Sequence, residues 1–404
     1  MNILVLDTIH GADILGREFA ARGHRVDMVD VYRNQSVVDV PTALSRTYDL
    51  VVAPVHLDPG HPVLQAQPAP VISHHEAVRL FLGKSVPQPM VEITGARGKT
   101  TTAFAIAHIM KGPGILHTSA GTFRYPDKTS LWKTSITPAS VLAAADKARE
   151  IQGWLVAEES LGVTGAGSLA IITSHEDYSC AAGKKSALSE KLRSVRDCQK
   201  VLLAPFIKPE TAAMVPLDTI TRCEGTQCQI DTGEMKGMFE NPLLGLDAYR
   251  VSLMLAGAAA CLLGIDPSSL STFQRVDGRL SVRYEGTVVI LDNSNSGTNG
   301  ASTIEAADYA RALSGDNDLT LVIGQEPGNG AVCEGFSDDQ IIDAISAVRP
   351  SRIVIVGDTR IRKQDPGIPE PAPLMYAPTR AAAEESARAV TSHGSIVLAV
   401  KTWR

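Results

Sequence analysis

The stretch Val91-Glu92-Ile93-Thr94-Gly95-Ala96-Arg97-Gly98-Lys99-Thr100-Thr101-Thr102 constrains this chain more than any other. An apolar run ends at Ile93, turns through Gly-Ala-Arg-Gly, and leaves as a helix-forming run from Ala103 to Met110. Strand, glycine turn and helix in that order bring free backbone N–H groups and a helix N-terminus to one point, which suits a polyphosphate. Gly95 and Gly98 let the backbone curl and approach closely, Lys99 supplies fixed positive charge, and Thr100 offers a hydroxyl to Mg²⁺. Ala96, Arg97 and Thr101 complete the run expected to hold a nucleotide. The spacing is G-x-x-G-K-T, shorter than G-x-x-x-x-G-K-[ST], because Ile93 stands where the longer loop has its first glycine.

A chain of 404 residues exceeds one ordinary core, so two or three domains are expected. Asn2 to Leu6 reads as a buried strand, Asp13 to Arg22 as a helix and Val26 to Val31 as a second strand, which opens a doubly wound α/β unit. The first turn lacks G-x-G-x-x-G, so no dinucleotide is indicated. Strands at Leu50–Ala53 and Val71–His75 follow, and Pro87-Gln88-Pro89 breaks the chain before the glycine loop. Downstream, Trp154 to Ala157 runs into Glu158-Glu159, Leu169 to Thr173 into Ser174-His175, and Ser186 to Cys198 is helical. Val276-Asp277-Gly278-Arg279-Leu280 reads as a hinge into a unit with strands near Thr287–Leu291, Leu319–Ile323, Arg352–Val356 and Ser395–Val400. The expected boundaries are 1–88, 89–277 and 278–404: a Rossmann-like unit, a central P-loop-type ATPase with a mostly parallel sheet, and a short second Rossmann-like unit.

A net charge of −6 argues against a nucleic-acid partner. No apolar run is long enough to span a bilayer and Met1-Asn2-Ile3-Leu4 has no cationic leader, so no membrane partner and a cytoplasmic protein are expected. The scattered cysteines, Cys223 and Cys228 included, read as thiols in a reducing compartment. Glu158 and Glu159 stand where a Mg²⁺ carboxylate is wanted, and His175 ends the next strand. Lys191 lies on the helix that follows, and Asp292 to Asn299 is a polar run directly after an apolar strand. Each of these alone is an ordinary surface feature.

Together they resemble the Mur ligase superfamily, which includes the muramyl-peptide ligases and folylpolyglutamate synthase. Thr94 to Thr102 is similar to its T-G-x-x-G-K-T-T loop, and Val156-Ala157-Glu158-Glu159-Ser160 to its E-x-S strand end, which makes Glu158 the magnesium carboxylate. Ile172-Thr173-Ser174-His175 resembles I-T-x-D-H, although Asp177 here follows the histidine. The resemblance implies metal contacts from Thr100, Glu158 and His175. It also implies catalytic roles for Lys99, Glu158, His175 and Lys191, the last at the position of a lysine carbamylated in many members, with Lys185 as the alternative. Asn241 matches the asparagine of an H-N pair beside adenine, with Glu240 replacing the histidine. Gly278-Arg279-Leu280 matches the G-R-L/F hinge, and Asp292 the aspartate that contacts ribose. ATP and Mg²⁺ are the implied cofactors, and a substrate carboxylate attacking the γ-phosphate is the implied chemistry.

The C-terminal run Val400-Lys401-Thr402-Trp403-Arg404 lacks the S-P-x-x-x-S-x-D segment of the muramyl ligases, so the amino-acid apparatus is expected to be partly missing. Leu4 to Ala12 and Val29 to Arg33 resemble instead a methanogen branch of the family. That branch implies a small-molecule substrate, an anionic nickel tetrapyrrole whose activated propionate is closed into a ring by C–C bond formation. A polycarboxylate should meet basic groups, and His10, Arg33, His74 and Arg124, with His75 and Lys133, are the candidates; Asn299 joins them from the polar run. The competing expectations are an amide-forming ligase for a cell-wall precursor or polyglutamate chain, and a non-ligating ATPase switch.

Overall fold

The computed structural model describes residues 1–7, 10–31, 38–326 and 336–402. The chain forms two compact units, Met1–Phe273 and Gln274–Arg404. Both are α/β with mostly parallel sheets. Among the described residues no helix is long and apolar enough to cross a membrane.

The first unit opens with a four-stranded parallel sheet in the order Arg25–Val29, Asn2–Leu6, Leu50–Ala53, Val71–Ser73. The chain leaves its first strand to one side and returns on the other, so the switch in strand order lies between Asn2–Leu6 and Leu50–Ala53. A crevice outside the carboxyl ends is expected at such a point. The helix His74–Leu82 begins directly after the last of these strands. Its capping box pairs the Ser73 hydroxyl with the Glu76 N–H and the Glu76 carboxylate with the Ser73 N–H, an arrangement that stabilises a helix start by about 1 kcal/mol.

A second sheet of eight strands has Met90–Thr94, the strand feeding the glycine loop, near its middle. Leu169–Ile172 and Trp154–Glu158 flank it in parallel, and all three strands are buried along their length. Such strands read as continuous apolar runs because helices cover both faces. One of these helices, Lys99–Ile109, packs against the long apolar helix Asp247–Leu262. Ile3 of the first sheet and Leu15, Phe19 and Val78 of the helices beside it share one buried cluster with Met90, Ile115 and Leu155 of the second sheet and Val141 of a helix that covers it. That common core makes the two sheets a single compact unit.

Two features depart from the sequence expectations. Gly114–Thr118, Gly121–Tyr125 and Thr129–Trp132 form an antiparallel meander at one edge of the eight-stranded sheet, a stretch to which the sequence assigned no strand. A separate three-stranded antiparallel sheet spans Thr221–Glu224, Gln227–Asp231 and Lys236–Glu240, and there Cys223 and Cys228 face each other and are joined by a disulfide. The expectation of free thiols is corrected at that pair; Cys198 and Cys261 are free and buried.

The second unit is a six-stranded sheet in the order Ser281–Glu285, Val288–Asp292, Gly394–Lys401, Leu319–Gln325, Arg352–Val356, Leu374–Ala377. The first strand pairs antiparallel and the rest are parallel.

Candidate active site

The glycine loop is shaped by the strand beside it. Thr173, one residue past Leu169–Ile172, donates its hydroxyl to the Thr94 carbonyl at 3.2 Å and its N–H to the same oxygen at 2.8 Å. A Cβ on Gly95 would sit 2.1 Å from the Thr173 hydroxyl, so only glycine lets the strand and loop close to this distance. Gly98 caps the helix at φ +81°, a conformation glycine adopts without cost. The Ser174 hydroxyl accepts from the Ala96 and Arg97 N–H groups at 2.9 and 3.2 Å, and Arg97 pairs with Glu176 at 2.5 Å.

At the start of the helix, the half-buried Lys99 donates its Nζ to the Gly95 carbonyl at 3.0 Å, arching back over the loop. Thr100 is buried and donates its hydroxyl to Glu158 Oε2 at 2.9 Å. The same carboxylate oxygen accepts from the Ser119 N–H at 3.0 Å and hydroxyl at 3.3 Å. A hydroxyl, a lysine and a carboxylate therefore converge where the backbone N–H groups of the loop lie. Hard oxygen donors beside a polyphosphate cradle suit Mg²⁺, and Thr100, Ser119 and Glu158 are the residues that could hold it. The edge hairpin that supplies Ser119 was not legible as part of the site.

The two adjacent glutamates part company. Glu159 is fully buried on the other side of the strand beside Glu92, and burial, then the Glu92 carboxylate, push its pKa well above the usual carboxylate range. Glu92 itself accepts from the Thr164 hydroxyl and from the Gly165 and Gly167 N–H groups at 3.1 and 2.7 Å. Alternation along a strand sends neighbours to opposite faces, so one glutamate meets the loop and its neighbour the core.

His175 is exposed at the end of its strand and packs edge-on against Phe206, ring centroids 5.3 Å apart. Lys191 is buried on the helix Ala187–Ser194 with its Nζ 4.5 Å from the centroid of the Tyr178 ring. The alternative, Lys185, donates to the Val55 carbonyl at 3.0 Å. Its neighbour Lys184 pairs with Asp58 at 2.7 Å, so both lysines pin the loop that follows Leu50–Ala53.

Asn241 is buried and has its amide fully engaged. It donates to the Leu270 and Phe273 carbonyls at 2.7 and 3.0 Å and accepts from the Leu243 N–H at 2.9 Å. The side chain builds the turn at Asn241–Leu243, the position expected beside adenine. In the second unit, Arg279 follows Gly278, and Asp292 is buried in an ion pair with Arg380 at 2.7 Å. Asn299 is the cap of the helix Gly300–Ser314, accepting from the Ser302 N–H at 3.0 Å; as a substrate-binding candidate it is already committed to that cap.

The basic groups expected to meet a polycarboxylate fare unevenly. His74 and His75 are buried, and burial lowers both pKa values to about 4, so they are neutral rings and not cations. His74 Nε2 donates to the Leu6 carbonyl and His75 Nε2 to the Ser160 carbonyl, each at 3.0 Å. That second bond ties the N-terminal sheet to the segment just past Glu158. Arg124 is on the edge meander, exposed, and paired with Asp127 at 2.7 Å. Arg33 lies outside the described residues. His10 is half-buried at the carboxyl edge of the first sheet, with Asp7 and His56 beside it. Neither Asp7 nor His56 was singled out from sequence, although Asp7 directly follows one apolar strand and His56 lies three residues past another.

Residues 282–402 match the family described as coenzyme F430 synthetase CfbE, C-terminal domain. A murein peptide ligase from Psychrobacter arcticus superposes with a TM-score of 0.51 at 15% identity, covering 99% of this chain and 95% of that one. A bifunctional folylpolyglutamate synthase/dihydrofolate synthase from Yersinia pestis, complexed with AMPPNP and a Mn ion, gives a TM-score of 0.56 at 15% identity over 82% of this chain and 90% of its own. These solved ligases share the fold of this chain. In sequence the chain is similar to the coenzyme F(430) synthetases: the one from Methanosarcina acetivorans is 29% identical over 435 aligned positions, 88% of this chain and 90% of that protein.

Proposed function

We propose that the chain is an ATP-dependent ligase that activates a substrate carboxylate as an acyl phosphate and closes a carbocycle on a nickel tetrapyrrole, the seco acid that precedes coenzyme F430. The observation that carries this reading is the convergence of Lys99, Thr100, Ser119 and Glu158 on the Gly95–Gly98 turn. Likeness to the coenzyme F(430) synthetases supports the choice of substrate.

In this reading Thr100 and Glu158 would hold Mg²⁺, which would supply charge neutralisation to the phosphates of ATP. The loop N–H groups and Lys99 position the γ-phosphate, and Ser174 gives up its two loop N–H groups to it. A carboxylate oxygen of the substrate propionate attacks the γ-phosphorus and ADP leaves. A ring carbon then gives its proton to solvent, attacks the acyl carbon and expels phosphate, so one C–C bond forms while one C–H and one C–O bond break. Lys191, buried against Tyr178, acts as the lysine carbamylated in many Mur ligases, and His175 contributes to the metal site. His10 belongs to the surface that receives the substrate, and Arg279 and Asp292 serve as hinge and ribose contact. The functional parts are 1–88, 89–277 and 278–404.

The test is incubation with ATP, Mg²⁺ and the seco acid, following ADP and the absorbance change of ring closure together. Stoichiometric ADP and ring closure are expected. ADP release that requires an amino acid and ignores the tetrapyrrole would establish an amide-forming ligase instead.

A further inference from the structure

The carboxyl edge of the four-stranded sheet carries a second cluster that the ATP chemistry does not use. Asp7 directly follows the strand Asn2–Leu6, His10 lies three residues on, and His56 is in the loop after Leu50–Ala53. These strands flank the switch in strand order, where α/β sheets open a crevice. Asp7 is fully buried, whereas the His10 and His56 side chains are 21% and 18% exposed. Asp7 Oδ2 is 2.5 Å from His10 Nδ1 and 3.5 Å from His56 Nε2, and the imidazole rings meet edge-on at 4.7 Å. One ligating atom from each residue lies within 4.8 Å of the others.

We infer that Asp7, His10 and His56 form a binding site for a divalent late first-row cation of the Zn²⁺ or Co²⁺ class, separate from the Mg²⁺ of ATP. The donor set decides the class: two imidazoles and one carboxylate suit Zn²⁺ and Co²⁺, while Mg²⁺ takes oxygen ligands and keeps its waters. The spacing fits. Ligands at roughly 2.0–2.2 Å from a tetrahedral ion stand about 3.4 Å from one another. The Asp7–His56 distance already matches, and Asp7–His10 opens by about 1 Å as the cation replaces the proton between them.

The surroundings favour the same occupant. A carboxylate buried as deeply as Asp7 calls for a cation or donors close by. His74 and His75, the next imidazoles along this edge, are neutral and spend their Nε2 atoms on the Leu6 and Ser160 carbonyls. Three protein ligands also leave a tetrahedral ion one position for water or an anionic ligand, reached past the two part-exposed rings.

The experiment is calorimetric titration of the full chain, stripped with a chelator and free of nucleotide, with Zn²⁺. Visible absorption of the Co²⁺-loaded protein reports the coordination. One equivalent of Zn²⁺ is expected, and His10→Ala and His56→Ala should each weaken it by about 100-fold or more and collapse the Co²⁺ bands. Lys99→Ala should leave the Zn²⁺ affinity unchanged, and millimolar Mg²⁺ should not compete. His56 is in a loop, so His56→Gln provides a folded variant, checked by its unfolding temperature, should His10→Ala not fold. Absence of stoichiometric Zn²⁺ uptake by the wild type, or His56→Ala and His56→Gln both binding like it, would overturn the inference. Because no ATP or tetrapyrrole is present, the outcome is independent of the ligase reading.

Discussion

The two parallel sheets of the first unit each present ligands at a carboxyl edge, but they assemble them differently. The eight-stranded sheet uses one run, Gly95 to Thr101, whose backbone N–H groups, lysine and hydroxyl are adjacent in sequence, and adds Glu158 and Ser119 from neighbouring strands. The four-stranded sheet gathers Asp7 and His10 from the turn after its first strand and His56 from a loop much later in the chain, and backs them with buried, neutral His74 and His75. The first edge is a cradle of backbone dipoles and oxygen donors, suited to phosphate and Mg²⁺. The second is imidazole-rich, suited to softer cations. The lesson is that a contiguous loop announces its ligand, whereas a strand-end cluster becomes visible only once strand order is known.

The largest effect expected at the first edge is that of Lys99→Ala, which should lower carboxylate-dependent ADP formation by about 1,000-fold. The protein should keep its unfolding temperature; retained turnover would break the distinction between the two edges. Glu158→Gln comes next, raising the Mg²⁺ concentration for half-maximal rate by about 10–100-fold. If Glu159→Gln does so instead, the assignment of the two glutamates to opposite faces is wrong. Asn241→Leu should cost about 3 kcal/mol in urea unfolding, because two carbonyls and one N–H lose buried partners.

The smallest effect is a pH slope. Glu159 has a folded pKa raised above its unfolded value of about 4.3, so below that pH it is protonated in both states and costs nothing. As pH rises, the unfolded chain ionises while the folded one holds the proton, and stability falls. Glu159→Gln removes that loss, so relative to wild type the variant should gain stability in urea melts between pH 5 and pH 8. An unchanged difference would show that Glu159 is not the buried neutral acid described.

Much of the fold was legible, because buried parallel strands are continuous apolar runs. Asn2–Leu6, Leu169–Ile172 and Arg352–Val356 stand out this way. The antiparallel pieces were not. Thr129–Trp132 is an edge strand with partly solvated residues, and Thr221–Glu224 alternates half-buried and exposed positions, so neither has an apolar run to mark it. At the site, the glycine loop was plain, and Thr100 does meet Glu158. For Arg124 and Asn241 a sequence shows a charge or an amide without showing the Asp127 or the backbone carbonyls that engage it. Asp7 and His56 were passed over since their meeting depends on Asn2–Leu6 and Leu50–Ala53 being neighbours.

Activation of a carboxylate by phosphoryl transfer is the central claim, and an isotope measurement tests it most directly. With the seco acid labelled with ¹⁸O in its propionate carboxylate, ATP and Mg²⁺, the account predicts one ¹⁸O in each inorganic phosphate released. The labelled oxygen that attacks the γ-phosphorus leaves with it when the ring carbon takes the acyl carbon. Phosphate released without label, at a rate indifferent to the carboxylate, would mean that the loop hydrolyses ATP without activating a substrate, and would contradict the account.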